Sequence, residues 1–483
     1  MALDRRMFID GKWVESESGE HFDADSPATG EIIGQVPKGT RADAQRAIEA
    51  AHRARREMSR LKGFERSKRL HAIADEIERR SEEIARLLTL DQGKPLKTEA
   101  VAEVGEAIDY FRIAAEDLKR LEGRVLPSAS PSKLVLARHY PLGVYGFITP
   151  WNWPLTLAAE LIAPAIAAGN TVVWNPASST SVISVAMMEC IAVADLPAGV
   201  VNLVTGPGAD VGDEIAGHPL VDGVGFVGST ETGASVAARA AGKHLLLELG
   251  GNGPLVVFAD ADLGGAVEGV ILGCYLCAGQ SSTAGERILV EEPIRDEFVA
   301  RLADAARALR LGDPFDEATT LGPLNNEGVA NKMDQHIADA LKHGAKLVLG
   351  GERAKGFPTR LYYHATILDG VEPDMRVSRE ETFGPIAPII KFADEQQALE
   401  LANDSPYGLV GAVYTKDLSR ALRFADALDT GWVNVNESTN YWEAHLPFGG
   451  RAGKKSGIGR VGGRFALEEM TDLKTIVIEV SAE

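Results

Sequence analysis

The chain has 483 residues, 45% of them hydrophobic and 25% charged, an ordinary globular balance spread over more length than one core organises, so two or three domains are expected. A net charge of −19 opposes binding to nucleic acid or to an anionic membrane, both of which select basic faces. No run of 18 apolar residues is present, no apolar signal segment follows residues 1–6, and three cysteines (Cys190, Cys274, Cys277) cannot build a disulfide framework, so a cytoplasmic protein is expected.

In chain order, Thr40-Arg41-Ala42-Asp43 has the form of a capping box, and Ala44, Ala47, Ile48, Ala51 and Ala54 follow at helical spacing. A second periodic run, Leu70, Ile73, Ile77, Ile84, Leu87 and Leu88, reaches stop signals at Gly93 and Pro95. From Val144 the pattern changes. Short β-branched runs at 144–148, 171–174, 200–204 and 224–227 alternate with helical segments such as 181–193, which predicts βαβ units on a parallel sheet. After Gly251 a second alternating series begins, with strands at 288–290, 347–349, 389–392, 410–414 and 432–435 and helices at 294–309 and 396–402. It predicts a second α/β domain. The last run, 473–480, is a strand candidate with no later segment to pair it, and an exposed edge calls for a partner. There is no internal repeat and no low-complexity linker.

Short motifs punctuate this pattern: Phe8-Ile9-Asp10-Gly11-Lys12-Trp13, Thr149-Pro150-Trp151-Asn152-Trp153-Pro154, Gly228-Ser229-Thr230-Glu231-Thr232-Gly233, Glu248-Leu249-Gly250-Gly251, Gly279-Gln280-Ser281-Ser282-Thr283-Ala284-Gly285, Glu381-Thr382-Phe383-Gly384-Pro385 and Pro447-Phe448-Gly449-Gly450. Their order and intervals resemble the NAD(P)-dependent aldehyde dehydrogenases nearly end to end. The resemblance implies an α/β fold in which residues 1–121 and 141–250 form a Rossmann-type dinucleotide-binding domain and 251–435 a second α/β catalytic domain. Residues 436–463 become a substrate-entrance loop returning to the cofactor domain. Residues 122–140 and 464–483 become a small β oligomerisation arm, which implies a homodimer or homotetramer.

Within that resemblance Ser282 stands at the nucleophile position, where the family has cysteine. An aldehyde releases hydride readily only after a nucleophile has made its carbonyl carbon tetrahedral. A thiol with a pKa of about 8.5 suits that task; a serine hydroxyl is far less acidic, and no Ser-His-Asp arrangement is evident to activate it. Asn152 resembles the family's oxyanion donor, with a turn-shaping role as its bland alternative. Glu248, at the end of the apolar run Leu245-Leu246-Leu247, resembles the general base that activates water, and desolvation would raise its pKa toward that role. A solvent-facing strand-end charge is its alternative. Its presence also speaks against acyl transfer to coenzyme A, since relatives with a thiol acceptor lack this glutamate. The expected reaction is oxidation of an aldehyde to a carboxylic acid through a thiohemiacetal and an acyl-enzyme, blocked in this form by Ser282. Ser282 reads as a substitution or a natural loss, the retained Asn152, Glu248, Glu381 and Phe383 favouring substitution. A catalytically silent NAD-binding or structural protein on the same fold is the rival.

For the cofactor, Gly228 and Ser229 follow a strand and open a helix, where free N–H groups and the helix dipole meet a pyrophosphate. By resemblance Trp151 and Ser229 lie near the pyrophosphate, Glu381 on the nicotinamide ribose and Phe383 beside the nicotinamide. Asn175 replaces the family's ribose-binding lysine, and Ser178 stands where a glutamate would repel a 2′-phosphate. The two changes oppose each other, leaving NAD or NADP with a small margin for NAD. Leu161 and Val461 occupy positions where many relatives carry a lysine and a glutamate thought to relay protons; losing both strands no charge. The aldehyde entrance is assigned to Trp153, Leu157, Leu276, Tyr441 and Trp442, an aromatic and mostly apolar tunnel. Glu160 and Glu443 are its charged candidates; they disfavour a carboxylate-bearing aldehyde and tolerate a cation. His445 reads as a loop histidine, and no metal-ligand spacing occurs nearby.

Overall fold

The structure, a computed structural model, describes residues 6–480; the readings made on residues 1–5 and 481–483 lie outside it. The described residues open with a hairpin, Met7–Ile9 against Lys12–Val14. Asp10 and Gly11 both take positive φ, 54° and 75°, as a two-residue turn matched to the twist of its strands requires. The capping box forms as read: Thr40 accepts from Asp43 N–H and the Asp43 side chain returns to the Thr40 N–H at the start of helix Arg41–Met58.

The second periodic run falls on two helices, Gly63–Arg79 and Ser81–Gln92. Arg80 at the joint has φ −101° and ψ 12° and directs its guanidinium to Glu83 and Glu189. Helix Val101–Asp117, unread in the sequence, buries Val104, Ala107, Ile108, Phe111, Ala114 and Ala115 on one face.

The first large sheet has eight strands. Its parallel centre runs His244–Glu248, Gly223–Val227, Val144–Thr149, Thr171–Pro176 and Val201–Leu203 across the sheet. In chain order these are the fifth, fourth, first, second and third, which is the doubly wound Rossmann order without its sixth strand. The order reverses beside Val144–Thr149, and in such sheets ligands bind outside the carboxyl ends of strands at that switch point. Residues 150–152, 228–229 and 249–250 therefore border one crevice.

A second sheet of seven strands runs Lys346–Leu349, Thr366–Asp369, Ile386–Phe392, Gly285–Glu291, Gly253–Val257, Val410–Tyr414 and Trp432–Val435. It is parallel except for its first pair. Each large sheet has its own buried apolar cluster, as two domain cores require.

The late strand Thr471–Glu479 is paired in full register with Lys133–Pro141, which also pairs with Arg124–Leu126. Its outer edge stays open, and Val125, Leu473 and Val477 are 71%, 59% and 60% exposed. Among the described residues no helix is long and apolar enough to cross a membrane.

Candidate active site

Two cavities meet at Asn152, Glu248 and Ser282. The larger, about 260 Å³, is bordered by Trp151, Gly228, Ser229, Glu381 and Phe383. The smaller, about 50 Å³, is bordered by Trp153, Leu157, Glu160, Leu276 and Trp442. Among the described residues, only these three border both cavities. They are brought together from the ends of two first-sheet strands and from the loop that enters Gly285–Glu291 in the second.

Close backbone approach makes this meeting possible. A Cβ on Gly251 would lie 1.9 Å from the Ser282 carbonyl oxygen, and one on Gly279, where φ is +72°, 2.1 Å from that of Gly384. Gln280 ties the loop from inside, donating to Cys277 O (2.9 Å) and accepting from Asn325 N–H (2.8 Å). Asn152 donates one amide hydrogen to Gln280 O at 3.0 Å, which leaves its other amide hydrogen free for the cavity.

Lys94 sits between the stop signals Gly93 and Pro95 and passed unnoticed in the sequence. It is fully buried, pairs with Glu103, donates to Asn152 O at 3.0 Å and lies 3.7 Å from the centre of the Trp153 ring. Glu103 in turn accepts from Leu155 N–H at 2.9 Å. A buried pair held this way orients the turn that carries Asn152. No thiol borders either cavity. Cys277 is buried with its Sγ 3.6 Å from Asn152 O, and burial pushes its thiol up to about 12.

Glu248 is 5% exposed at the end of its strand. Burial, and then the charge of Glu160, holds its carboxyl well above the usual range. Glu160 is pushed up to about 8 by burial, against a hydrogen bond from the Tyr110 hydroxyl at 2.8 Å. Groups raised in the folded state contribute stability fully below their unfolded pKa and lose it as pH rises through the folded value. The thermal midpoint should therefore fall between roughly pH 5 and pH 9, and Glu160→Gln should flatten that slope. Scanning calorimetry across the range checks it; an unchanged slope would show that Glu160 ionises freely.

On the larger cavity's wall, Ser229 caps helix Thr230–Arg239 by accepting from Thr232 N–H at 3.2 Å. The Glu381 carboxyl accepts from Gly251 N–H at 2.8 Å and is pushed up to about 8 by burial. Phe383 takes φ +64°, a costly conformation for an aromatic residue. Glu286, missed in the sequence, holds it there by accepting from the N–H groups of Thr382 and Phe383. Trp151 meets the Phe383 ring edge-on at 5.6 Å. A capped helix start, a buried carboxyl and an aromatic wall around one cavity suit a dinucleotide's phosphates, ribose and nicotinamide. Asn175 and Ser178 are engaged with the backbone. Asn175 is buried, its amide donating to Val204 O and Gly206 O, and Ser178 donates to the same Gly206 O; neither borders the cavity.

On the smaller cavity's wall two expected residues are missing, Tyr441 and Glu443. Tyr441 is 43% exposed and donates its hydroxyl to Glu443, itself exposed and near His445. This corrects the expected tunnel, in which Tyr441 stood beside Trp442. The exposed Glu443 carboxylate takes the tyrosine hydroxyl, while Trp442 borders the cavity and meets the Tyr110 ring at 6.0 Å. Tyr110 and Glu106 were also missed, because the helix that carries them was not read.

Comparison with known proteins agrees with this geometry. The sequence matches the aldehyde dehydrogenase family over residues 13–476. It is 40% identical to a 3-sulfolactaldehyde dehydrogenase of Pseudomonas putida, over 99% of this chain and 97% of that one. It is 39% identical to a betaine aldehyde dehydrogenase of Bacillus subtilis, over 98% and 97%. The solved structure of a Staphylococcus aureus betaine aldehyde dehydrogenase in complex with NAD+ superposes with a TM-score of 0.97 at 38% identity, covering 100% of this chain and 96% of that one. With this fold, this crevice and these matches, the chain belongs to the aldehyde dehydrogenase family.

Proposed function

We propose that the site is built to oxidise an aldehyde to a carboxylic acid with NAD or NADP, through a nucleophile at position 282, and that Ser282 leaves this form essentially inactive. The observation that carries the reading is the meeting of the two cavities at Asn152, Glu248 and Ser282. The larger holds the cofactor, with Ser229 and Trp151 toward the pyrophosphate, Glu381 toward the nicotinamide ribose and Phe383 beside the ring. Bound nicotinamide supplies the hydride acceptor. The free Asn152 amide hydrogen and the backbone N–H of residue 282 receive the adduct's oxyanion. Glu248 removes a proton from the water that releases the acid. A thiol at 282 would add to the carbonyl as thiohemiacetal and leave from the acyl-enzyme; the serine hydroxyl has no histidine on either cavity wall to take its proton. A naturally silent cofactor-binding protein is the second reading, favoured by the absence of any thiol on those walls.

Among the described residues no lysine or arginine borders the smaller cavity to pair with an anionic aldehyde, which favours an uncharged or cationic one. Residues 1–121 and 141–250 serve as the dinucleotide-binding domain, 251–435 as the catalytic domain and 436–463 as the substrate-entrance loop. The open apolar edge of Thr471–Glu479 and the strands it joins favour an arm that packs on a second copy, as dimer or tetramer. The buried, unpaired cysteines suit a reducing, cytoplasmic setting.

Cofactor binding tests the reading with the serine in place, because no proposed contact uses a thiol. Saturating cofactor should raise the thermal midpoint; at 100 times Kd the linkage contributes about 2.7 kcal/mol. NAD should act at lower concentration than NADP by a small margin. Calorimetry that detects neither nucleotide would sink both readings.

A further inference from the structure

We propose that Glu160 shares a proton with Glu248 and passes it to Glu106, so that three carboxyls form a proton route leading away from Ser282. Resting on the reading of Glu248 as base, the inference adds two groups that the reading does not use.

The geometry is a ladder between two helices. Thr156 and Glu160 are four apart on helix Thr156–Ala168 and share a face. Glu106 and Tyr110 are four apart on helix Val101–Asp117 and face them. One rung is the Thr156 hydroxyl donating to Glu106 at 2.8 Å; the next is the Tyr110 hydroxyl donating to Glu160 at 2.8 Å. Each rung occupies one carboxyl oxygen. The other Glu160 oxygen, Oε2, is buried with no hydrogen-bond partner among the described residues, and so is Glu248 Oε1. Both residues border the same small cavity. A buried carboxyl oxygen without a donor is costly, and two facing one space are relieved when one proton lies between them.

Among the described residues no cation pairs with Glu160, whose one hydrogen bond comes from Tyr110. From helix Val101–Asp117 come Glu103, already paired with Lys94, together with Glu106 and Tyr110. The strand His244–Glu248 contributes Glu248, while its His244 lies against Tyr145 and Glu469. From helix Gly63–Arg79, Arg66 binds Ala167 O at the far end of the Glu160 helix. Burial holds Glu106 up to about 7, below Glu160 at about 8, and Glu106 is half-buried where Glu160 is 1% exposed. In the transfer, the O–H bond of water breaks as Glu248 gains the proton. The Glu248 O–H bond then breaks as Glu160 gains it, the Glu160 O–H bond breaks as Glu106 gains it, and Glu106 releases it to solvent. No electron changes hands. Leu161 and Val461 are fully buried and apolar, so neither side chain offers a parallel path.

Infrared titration of the protonated carboxyl stretch, on the protein with Ser282, tests the sharing without turnover. Interacting groups lose their protons in two separated steps that belong to the pair. Glu160→Gln should leave Glu248 a single step, about one pH unit or more below the upper step of the pair. Glu106→Gln should lower the upper step by a smaller amount, and Tyr110→Phe, which deletes the hydrogen bond to Glu160, should raise it. An unmoved Glu248 step in Glu160→Gln would overturn the proposal, and an unmoved pair in Glu106→Gln would overturn its outward branch. In the Ser282→Cys background, Glu160→Gln should slow steady turnover about tenfold and shift its pH midpoint, with less effect on the first burst of product. If Ser282→Cys proves inactive, the proposed oxidation fails while the infrared steps still decide whether the carboxyls share a proton.

Discussion

Ser282→Cys is expected to turn an essentially inactive protein into an aldehyde dehydrogenase. The gain in turnover should be on the order of 10⁴-fold or more, the scale on which loss of a covalent nucleophile lowers kcat. Everything the thiol needs is already arranged: the Asn152 amide beside the loop, the close Gly251 backbone, and a buried Glu248. A thiol is a few per cent ionised at neutral pH and intrinsically nucleophilic, whereas a hydroxyl without a base is not. The check is NAD(P)H formation, read at 340 nm, over aromatic, aliphatic and amino-aldehydes. If the variant binds cofactor and still forms no NAD(P)H with any of them, the silent-protein reading replaces the enzyme. Anionic aldehydes should be the poorest substrates, because among the described residues no lysine or arginine borders the smaller cavity to pair with them.

The second large effect is at Glu248. In the Ser282→Cys background, Glu248→Gln should allow addition and hydride loss but stall hydrolysis, because an amide cannot take a proton from water at neutral pH. Stopped-flow traces should show a burst of about one NAD(P)H per active site and then turnover slowed by roughly 10²-fold or more, as an acyl-enzyme accumulates. Steady turnover equal to that of the parent, with no burst, would make Glu248 a structural strand-end carboxyl. Glu381, the other high-pKa carboxyl on the cavity wall, would then be the next candidate base despite its place on the ribose side. The glutamine also removes a charge from beside Glu160, so the upper carboxyl step should vanish from the infrared titration of the same variant.

Local signals were legible where a cap or an unbroken apolar run marks an element; half-solvated helix Val101–Asp117 still went unread. The Thr40–Asp43 capping box and the alanine stripe behind it specify helix Arg41–Met58, because a cap is satisfied within one turn. The β-branched runs mark most strands of both sheets to within a few residues at each end, since a buried parallel strand must be apolar throughout, but Gly253–Val257 and Thr366–Asp369 of the second sheet went unread. Helix Thr156–Ala168 escaped as well. Twelve of its thirteen residues are buried, so it has no polar face and no 3.6-residue pattern to read.

By itself the sequence determined the alternation that makes an α/β fold, the glycines that let Ser282 approach the first sheet, and the identities of Ser282, Asn152 and Glu248. Only the tertiary structure decided what surrounds them. Phe383 keeps its strained backbone because Glu286, nearly a hundred positions earlier, accepts its N–H; Asn175 is taken up by Val204 and Gly206. Glu160 faces Tyr110 and Glu248, which stand fifty positions before it and eighty-eight after. Whether a carboxyl binds substrate, holds a proton or simply meets water depends on its burial and its partners, and those come from packing between segments far apart in the chain.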